Sequence, residues 1–152
     1  MKQLAERLGR NLPVLFSIFF IIFADRISKE IVRQNYERYI VWNTGISLGF
    51  LQATGEVSKI ILSTIIFVVV MGFMYFLYRE IKKDRTNYKM IIPLALVFSG
   101  GVSNIIDRLA WGSVLDFIPF FSLWTFNVAD FAISLGVIMM LVNKIFYDRK
   151  TT

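Results

Sequence analysis

Four aspartates are the side chains best suited to chemistry in this sequence, namely Asp25, Asp107, Asp116 and Asp130. The 152 residues include no histidine and no cysteine, which excludes Ser–His and Cys–His triads, thiolate metal sites and disulfides. The commonest general base is therefore absent, and carboxylates become the leading candidates for acid–base chemistry. The four aspartates border or interrupt long apolar runs, where an ionised group is costly and so marks a candidate functional position.

Asp116 and Asp130 form the candidate reactive pair, because neither has a basic neighbour in the sequence. Asp116 lies in an apolar, strand-like run at 114–118, and Asp130 is the third residue of a predicted helix. Apolar surroundings raise the pKa of a carboxyl group, whereas a helix N-terminus favours its anion. This pattern suits two carboxyls that share one proton and activate water. The alternative is a helix N-cap at Asp130 and an ordinary loop acid at Asp116.

Asp25 and Asp107 have basic neighbours, which favours structural roles for them. Asp25 and Lys29 are spaced i, i+4, so they can pair on one side of a helix. Asp107 is followed by Arg108, and pairing between these two is the simplest expectation. If Arg108 faces the reactive pair instead, it can hydrogen-bond a substrate carbonyl.

The elements that hold these aspartates are predicted to be membrane-spanning helices. Apolar and aromatic residues make up 56% of the chain and charged residues 18%, with a mean hydropathy of +0.60. Because a bilayer core needs about 20 apolar residues in a helix, we expect one domain over 1–152 with four spans. They lie at about 12–32, 60–78, 90–106 and 128–146. The first is expected to be a retained anchor, since no small-residue cleavage site follows it.

The distribution of charge predicts the orientation. Eleven of the 17 Lys and Arg residues lie on the side of the two termini, and the more basic side of a membrane protein is cytoplasmic. Both termini are therefore expected inside, with the four aspartates near the outer face. The net charge of +6 is divided among short clusters between apolar runs, which does not suit nucleic-acid binding.

Two outer loops, at 33–59 and 107–127, join the predicted spans. In the first, 39–42 has the pattern of a strand and 43–45 that of a turn. The second is rich in aromatic residues, as expected at the membrane interface. Small residues at 99–103 favour close packing of the third span against a neighbouring helix.

Five motifs follow one another in an order that resembles bacterial lipoprotein signal peptidase, or signal peptidase II. They are DRISK at 25–29, NTGISLGF at 43–50, GGVSNIIDR at 100–108, GSVLDFI at 112–118 and FNVAD at 126–130. Together they cover nearly the whole chain, and five ordered motifs on four spans are far more specific than any one of them.

The resemblance implies an all-α membrane protein with four transmembrane helices and a small extracytoplasmic β-rich cradle in the first outer loop. It also implies an aspartic endopeptidase of the bacterial inner membrane that needs no metal or cofactor. Such an enzyme removes signal peptides from prolipoproteins by cutting before the cysteine that carries diacylglycerol. Its partners are these precursors and membrane lipids, and it is expected to be monomeric.

The family's functional positions can be placed residue by residue. Its catalytic aspartates correspond to Asp116 and Asp130, and Asp25 and Lys29 match a motif regarded as structural. Its substrate-binding positions correspond to Asn43, Gly45, Asn104, Arg108, Asn127 and Ala129.

The chain departs from the family pattern in two places. Asp116 and Asp130 are only 14 positions apart, which is short for the family and implies a truncated outer segment over the site. Residues 46–48 read Ile-Ser-Leu, where an alanine-rich, more aromatic version is commoner.

Three other classes fit parts of the sequence. A small proton-coupled transporter would also hold acids within its spans, but near the middle of the bilayer. A metal-dependent lipid phosphotransferase could use carboxylates alone, because oxygen ligands suit Mg²⁺. A non-catalytic scaffold does not explain why aspartates cluster at one membrane face.

Overall fold

The computed structural model describes residues 2–45, 55–83, 87–121 and 123–148. Four long helices account for most of them: α1 (Lys2–Asn35), α2 (Glu56–Lys82), α3 (Tyr88–Trp111) and α4 (Val128–Asp148). Each is long and apolar enough to cross a membrane. The predicted architecture of four membrane helices is therefore confirmed.

The central helix is α3, which packs against the other three. Many of its side chains are buried, whereas α1, α2 and α4 expose large apolar side chains such as Phe16, Phe67 and Ile138. At Gly100 a Cβ atom would lie 2.4 Å from the carbonyl oxygen of Ala129, so only glycine lets α3 approach the start of α4 this closely. The predicted close packing of the small residues thus holds at this position.

Within the described residues, four short strands lie in the two connections that were predicted to be outer loops. They are β1 (Val41–Asn43), β2 (Val114–Asp116), β3 (Ile118–Phe120) and β4 (Trp124–Phe126). β1 pairs antiparallel with β2, and β3 pairs antiparallel with β4. A strand of the first loop therefore joins a strand of the second. The rest of the expected cradle, at 46–54, lies outside the described residues.

One local expectation for the first loop is corrected by the structure, since Tyr39, predicted to begin the strand, lies in a short 3₁₀ helix at Glu37–Tyr39. Asn43, predicted to start a turn, does so through its side chain, because its Oδ1 accepts the N–H of Gly45 at 2.8 Å. Asn43 is also the last residue of β1 and lies opposite Val114 of β2. The pairing with β2 extends the strand, and local sequence contains no information about that partner.

The helices also continue beyond the predicted spans, which changes the placement of two candidate residues. Asp107 and Arg108, expected at the start of the second loop, lie near the end of α3. The helix ends at Gly112, which has a φ of 70° and whose N–H donates to the carbonyl oxygen of Arg108 at 2.9 Å. The left-handed conformation of Gly112 is typical of a helix C-terminus.

Candidate active site

Asn127 connects the two aspartates of the candidate pair. Its Nδ2 donates to Oδ1 of Asp116 at 2.6 Å, and its Oδ1 accepts the backbone N–H of Asp130 at 2.9 Å. The second bond makes Asn127 the N-cap of α4, a role that asparagine fills well. Asp130 is therefore not the cap of its helix, and its carboxylate is left for other contacts.

Two further asparagines hold the carboxylates themselves. Asn43, at the end of β1, donates its Nδ2 to Oδ2 of Asp116 at 2.9 Å. Asn104, on α3, donates its Nδ2 to Oδ1 of Asp130 at 2.8 Å. Across residues 2–45, 55–83, 87–121 and 123–148, no lysine or arginine forms an ion pair with either aspartate. Neutral amides thus donate hydrogen bonds to both carboxyl groups.

Burial raises the pKa of Asp116 to about 7. The side chain lies in the buried strand β2, and the negative charge of Asp130 raises the pKa further. The hydrogen bonds from Asn43 and Asn127 favour the anion and offset part of this rise. At neutral pH this group can therefore either hold or release a proton, as general acid–base chemistry requires.

Arg108 does not pair with Asp107, which corrects one expectation from the sequence. Its guanidinium donates to the carbonyl oxygen of Gly45 at 2.7 Å and to that of Asn104 at 3.3 Å. Arg108 therefore ties the first outer loop to α3. It also lines the cavity that contains Asp130, so it lies close to the candidate pair.

A cavity of about 260 Å³ leads from Asp130 between α2, α3 and α4. Its polar lining consists of Asn43, Asn104, Arg108 and Asp130. The remaining lining is apolar apart from Gly101 and comes largely from the helices: Ile65, Ile66, Val69, Val70, Phe73, Val97, Val114, Ile133 and Val137. The cavity can thus accept an apolar chain beside a polar reacting group.

Asp25, Arg26, Lys29 and Asp107 form a second group of charges, which we call the ion cluster. Lys29 Nζ lies 2.7 Å from Oδ2 of Asp25 and 2.7 Å from Oδ2 of Asp107. Arg26 lies 3.0 Å from Asp25 and 2.6 Å from Asp107. The i, i+4 contact between Asp25 and Lys29 is as predicted. The contribution of Arg26 was missed, because Arg26 and Asp107 are 81 positions apart and nothing local signals their contact.

The six predicted substrate-binding positions surround the pair but differ in accessibility. Asn127 and Ala129 are fully buried, and Gly45 is also buried. Only Asn43, Asn104 and Arg108 line the cavity. Among the described residues, no three carboxylates come together in one group.

The chain is similar to several known proteins over most of its length. Residues 17–146 match the family described as signal peptidase (SPase) II. The lipoprotein signal peptidase of Staphylococcus carnosus is 30% identical over 90% of this chain and 92% of its own length. That of Buchnera aphidicola is 31% identical over 86% of this chain and 92% of its own. A solved bacterial membrane enzyme shares the fold, with a TM-score of 0.73 and 22% identity over 92% of each chain.

Proposed function

This chain belongs to the signal peptidase II family, and on that premise we propose that Asp116 and Asp130 are its catalytic pair. The protein is a membrane protease that removes signal peptides from prolipoproteins. One observation carries the proposal: Asn127 links the carboxyl group of Asp116 to the backbone N–H of Asp130, and neutral amides donate to both carboxyl groups. A carboxylate with a paired cation stays ionised, whereas this pair can share a proton.

The proposed reaction uses the two carboxyl groups in complementary roles. Asp116, with a pKa of about 7, carries the shared proton at neutral pH. Asp130 is the ionised partner and takes a proton from the attacking water. Asp116 protonates the developing oxyanion or the leaving amine. The peptide C–N bond then breaks, and the signal peptide leaves with a new carboxyl terminus.

We propose that the bond cut is the one before a cysteine that carries diacylglycerol. The apolar cavity supports this, because it opens from Asp130 between three membrane helices and suits an aliphatic chain. Of the residues that line it, Asn43, Asn104 and Arg108 have the polar groups to hold peptide carbonyls. Asn127 and Ala129, being fully buried, serve the substrate through the position they give to the pair.

The orientation and the oligomeric state are also proposals. The excess of basic residues beside the termini supports a multi-pass inner-membrane protein with both termini in the cytoplasm and the pair near the outer face. A single chain supplies both aspartates and all three asparagines, which supports a monomeric enzyme. Family membership does not favour a proton-coupled transporter.

The experiment is a gel-shift assay of a diacylated precursor with purified wild type, Asp116→Asn and Asp130→Asn. Each variant should lower the processing rate by about 1000-fold or more, because loss of one reactive group disables the whole pair. Mass spectrometry of the product should find the lipid-modified cysteine at its new N-terminus.

The matched control is Glu37→Gln, the same carboxyl-to-amide change at an exposed outer position. It should process the precursor at the wild-type rate. If Asp116→Asn or Asp130→Asn also processed it at that rate, the assignment of the pair would be wrong.

A further inference from the structure

The ion cluster contacts the backbone beside each aspartate of the pair. Asp25 Oδ1 accepts the N–H of Ala129, the residue before Asp130, at 2.9 Å. Asp107 Oδ2 accepts the N–H of Leu115, the residue before Asp116, at 3.2 Å. Two buried carboxylates on different helices thus make equivalent contacts, one position upstream of each member of the pair.

Lys29 joins the two contacts. Its Nζ lies 2.7 Å from both carboxylates and donates to Oδ1 of Asn104 at 3.3 Å. Asn104 in turn donates to Asp130. Arg26 spans the same two carboxylates from the other side, and Ser103 Oγ donates to Asp25 at 2.7 Å. A continuous network of ion pairs and hydrogen bonds therefore runs from α1 and α3 to the backbone beside both aspartates of the pair.

Building on the proposed function, we propose that Asp25 and Asp107 are positioning residues that set the geometry of Asp116 and Asp130 through Ala129 and Leu115, with Lys29 fixing both. β2 and the start of α4 belong to separate elements. The described hydrogen bonds that join β2 to the start of α4 all involve the side chain of Asn127. No residue of the ion cluster forms a described hydrogen bond with that side chain. Two carboxylates and two cations, whose charges sum to zero, thus hold two backbone N–H groups.

The test compares kcat and KM for Asp107→Ala, Asp107→Asn and the wild type with the diacylated precursor. Asp107→Ala should lower kcat by about 100-fold with KM within about twofold, because a small displacement of a reacting group is costly while the substrate cavity is unchanged. Asp107→Asn keeps an oxygen that can accept from Leu115, so it should recover part of the loss.

A purely structural role is separated by a matched control, Leu77→Ala, in the apolar core formed with Val14 and Ile91. Leu77→Ala also destabilises the fold but lies in a different cluster from the pair. At a temperature where both variants are folded, it should keep the wild-type kcat. If kcat per folded enzyme were unchanged in Asp107→Ala, the positioning role would be overturned.

A double variant provides the second readout. In an Asp116→Asn background, Asp107→Ala should lower the residual rate by no more than about twofold, because residues that act as a unit are not additive. A full 100-fold further loss would overturn the proposal. Wild-type activity of Asp116→Asn alone would instead refute the proposed function, so the two failures are distinguishable.

Discussion

The ion cluster contains two buried carboxylates, whereas the aspartate pair contains one buried carboxylate, Asp116, and one partly buried carboxylate, Asp130. The two groups satisfy these carboxylates in opposite ways. In the ion cluster, Asp25 and Asp107 contact the cations of Lys29 and Arg26. In the pair, Asp116 and Asp130 accept hydrogen bonds from the neutral amides of asparagines. The two groups are joined by the bond from Lys29 to Asn104.

The difference separates a carboxylate that contacts a cation from one that can hold a proton near neutral pH. A cation in direct contact keeps a carboxylate ionised, so it becomes a fixed acceptor for backbone N–H groups. Amides satisfy the oxygens without neutralising the charge, and burial then raises the pKa of Asp116 to about 7. Side chains of one type thus have two roles within one end of the bundle, according to what faces them.

The largest expected loss of stability comes from a variant that breaks the ion cluster. Asp25→Ala leaves buried Lys29 with one carboxylate partner fewer and frees the N–H of Ala129. We expect the free energy of unfolding to fall by about 3–5 kcal/mol, as is usual when one member of a buried ion pair is removed. Denaturant unfolding in detergent micelles measures it. Glu30→Ala, which removes an exposed pair with Arg33 on the same helix, should cause no measurable change.

Asp116 of the aspartate pair is expected to make the folded protein less stable as pH rises. The folded-state pKa of Asp116 is raised from 3.8 to about 7, so the folded protein holds this proton more tightly than the unfolded chain. The wild type therefore loses stability as pH rises through this window. Asp116→Asn removes that slope, so from pH 5 to pH 8 its unfolding free energy should gain about 2.5 kcal/mol relative to that of the wild type. Denaturant unfolding of both proteins at the two pH values measures this. The prediction is wrong if the difference in unfolding free energy between Asp116→Asn and the wild type is the same at pH 5 and pH 8.

The close contact between α3 and the start of α4 lies beside both the ion cluster and the aspartate pair. Gly100→Ala places a Cβ atom against the carbonyl oxygen of Ala129, so it must push the start of α4 away from α3. We expect a loss of about 1–3 kcal/mol in unfolding free energy, together with a reduced kcat. Thermal unfolding and the precursor assay measure the two effects. Gly72→Ala, which meets nothing within 4 Å, should leave both unchanged or slightly raise stability.

A smaller effect tests the neutral donors. Asn43→Ala removes one hydrogen bond that favours the anion of Asp116, so its pKa should rise further. The alkaline limb of kcat/KM, expected near pH 7, should move upward by about one unit. Asn143→Ala is the matched control, because its amide donates to the carbonyl oxygen of Lys89 and makes no described contact with the pair. A limb that moved downward would refute the assigned role of this donor.

Removal of divalent metal ions is expected to have no effect on the processing rate. If water is activated by the carboxyl pair, a chelator such as EDTA should leave the processing rate of the wild type unchanged. Strong inhibition that is reversed by added Mg²⁺ would show that carboxylates of this site act as metal ligands. The aspartate pair would then contact a cation, as the aspartates of the ion cluster do.

Much of the fold could be predicted from local pattern. Four apolar runs of spanning length predict four helices, because a lipid environment permits only helices or closed barrels to cross it. The end of α3 was less predictable. Asp107 and Arg108 look like loop residues after an apolar run, yet they stay helical up to Gly112. The partners of Asp107 on α1 make that extension favourable, and they are distant in sequence.

By itself the sequence determined the number of spans, the candidate pair and the i, i+4 contact between Asp25 and Lys29, since each depends on residue type and short spacing. The tertiary structure alone decided that Asp107 contacts the cations of α1 and that Asp116 is held by an asparagine of β1. Arg26 and Lys29 of α1 reach Asp107, and Asn43 of β1 reaches Asp116, over more than 70 positions of chain. Such contacts form only when helices and strands pack, because the charge of a buried group responds to its neighbours in space.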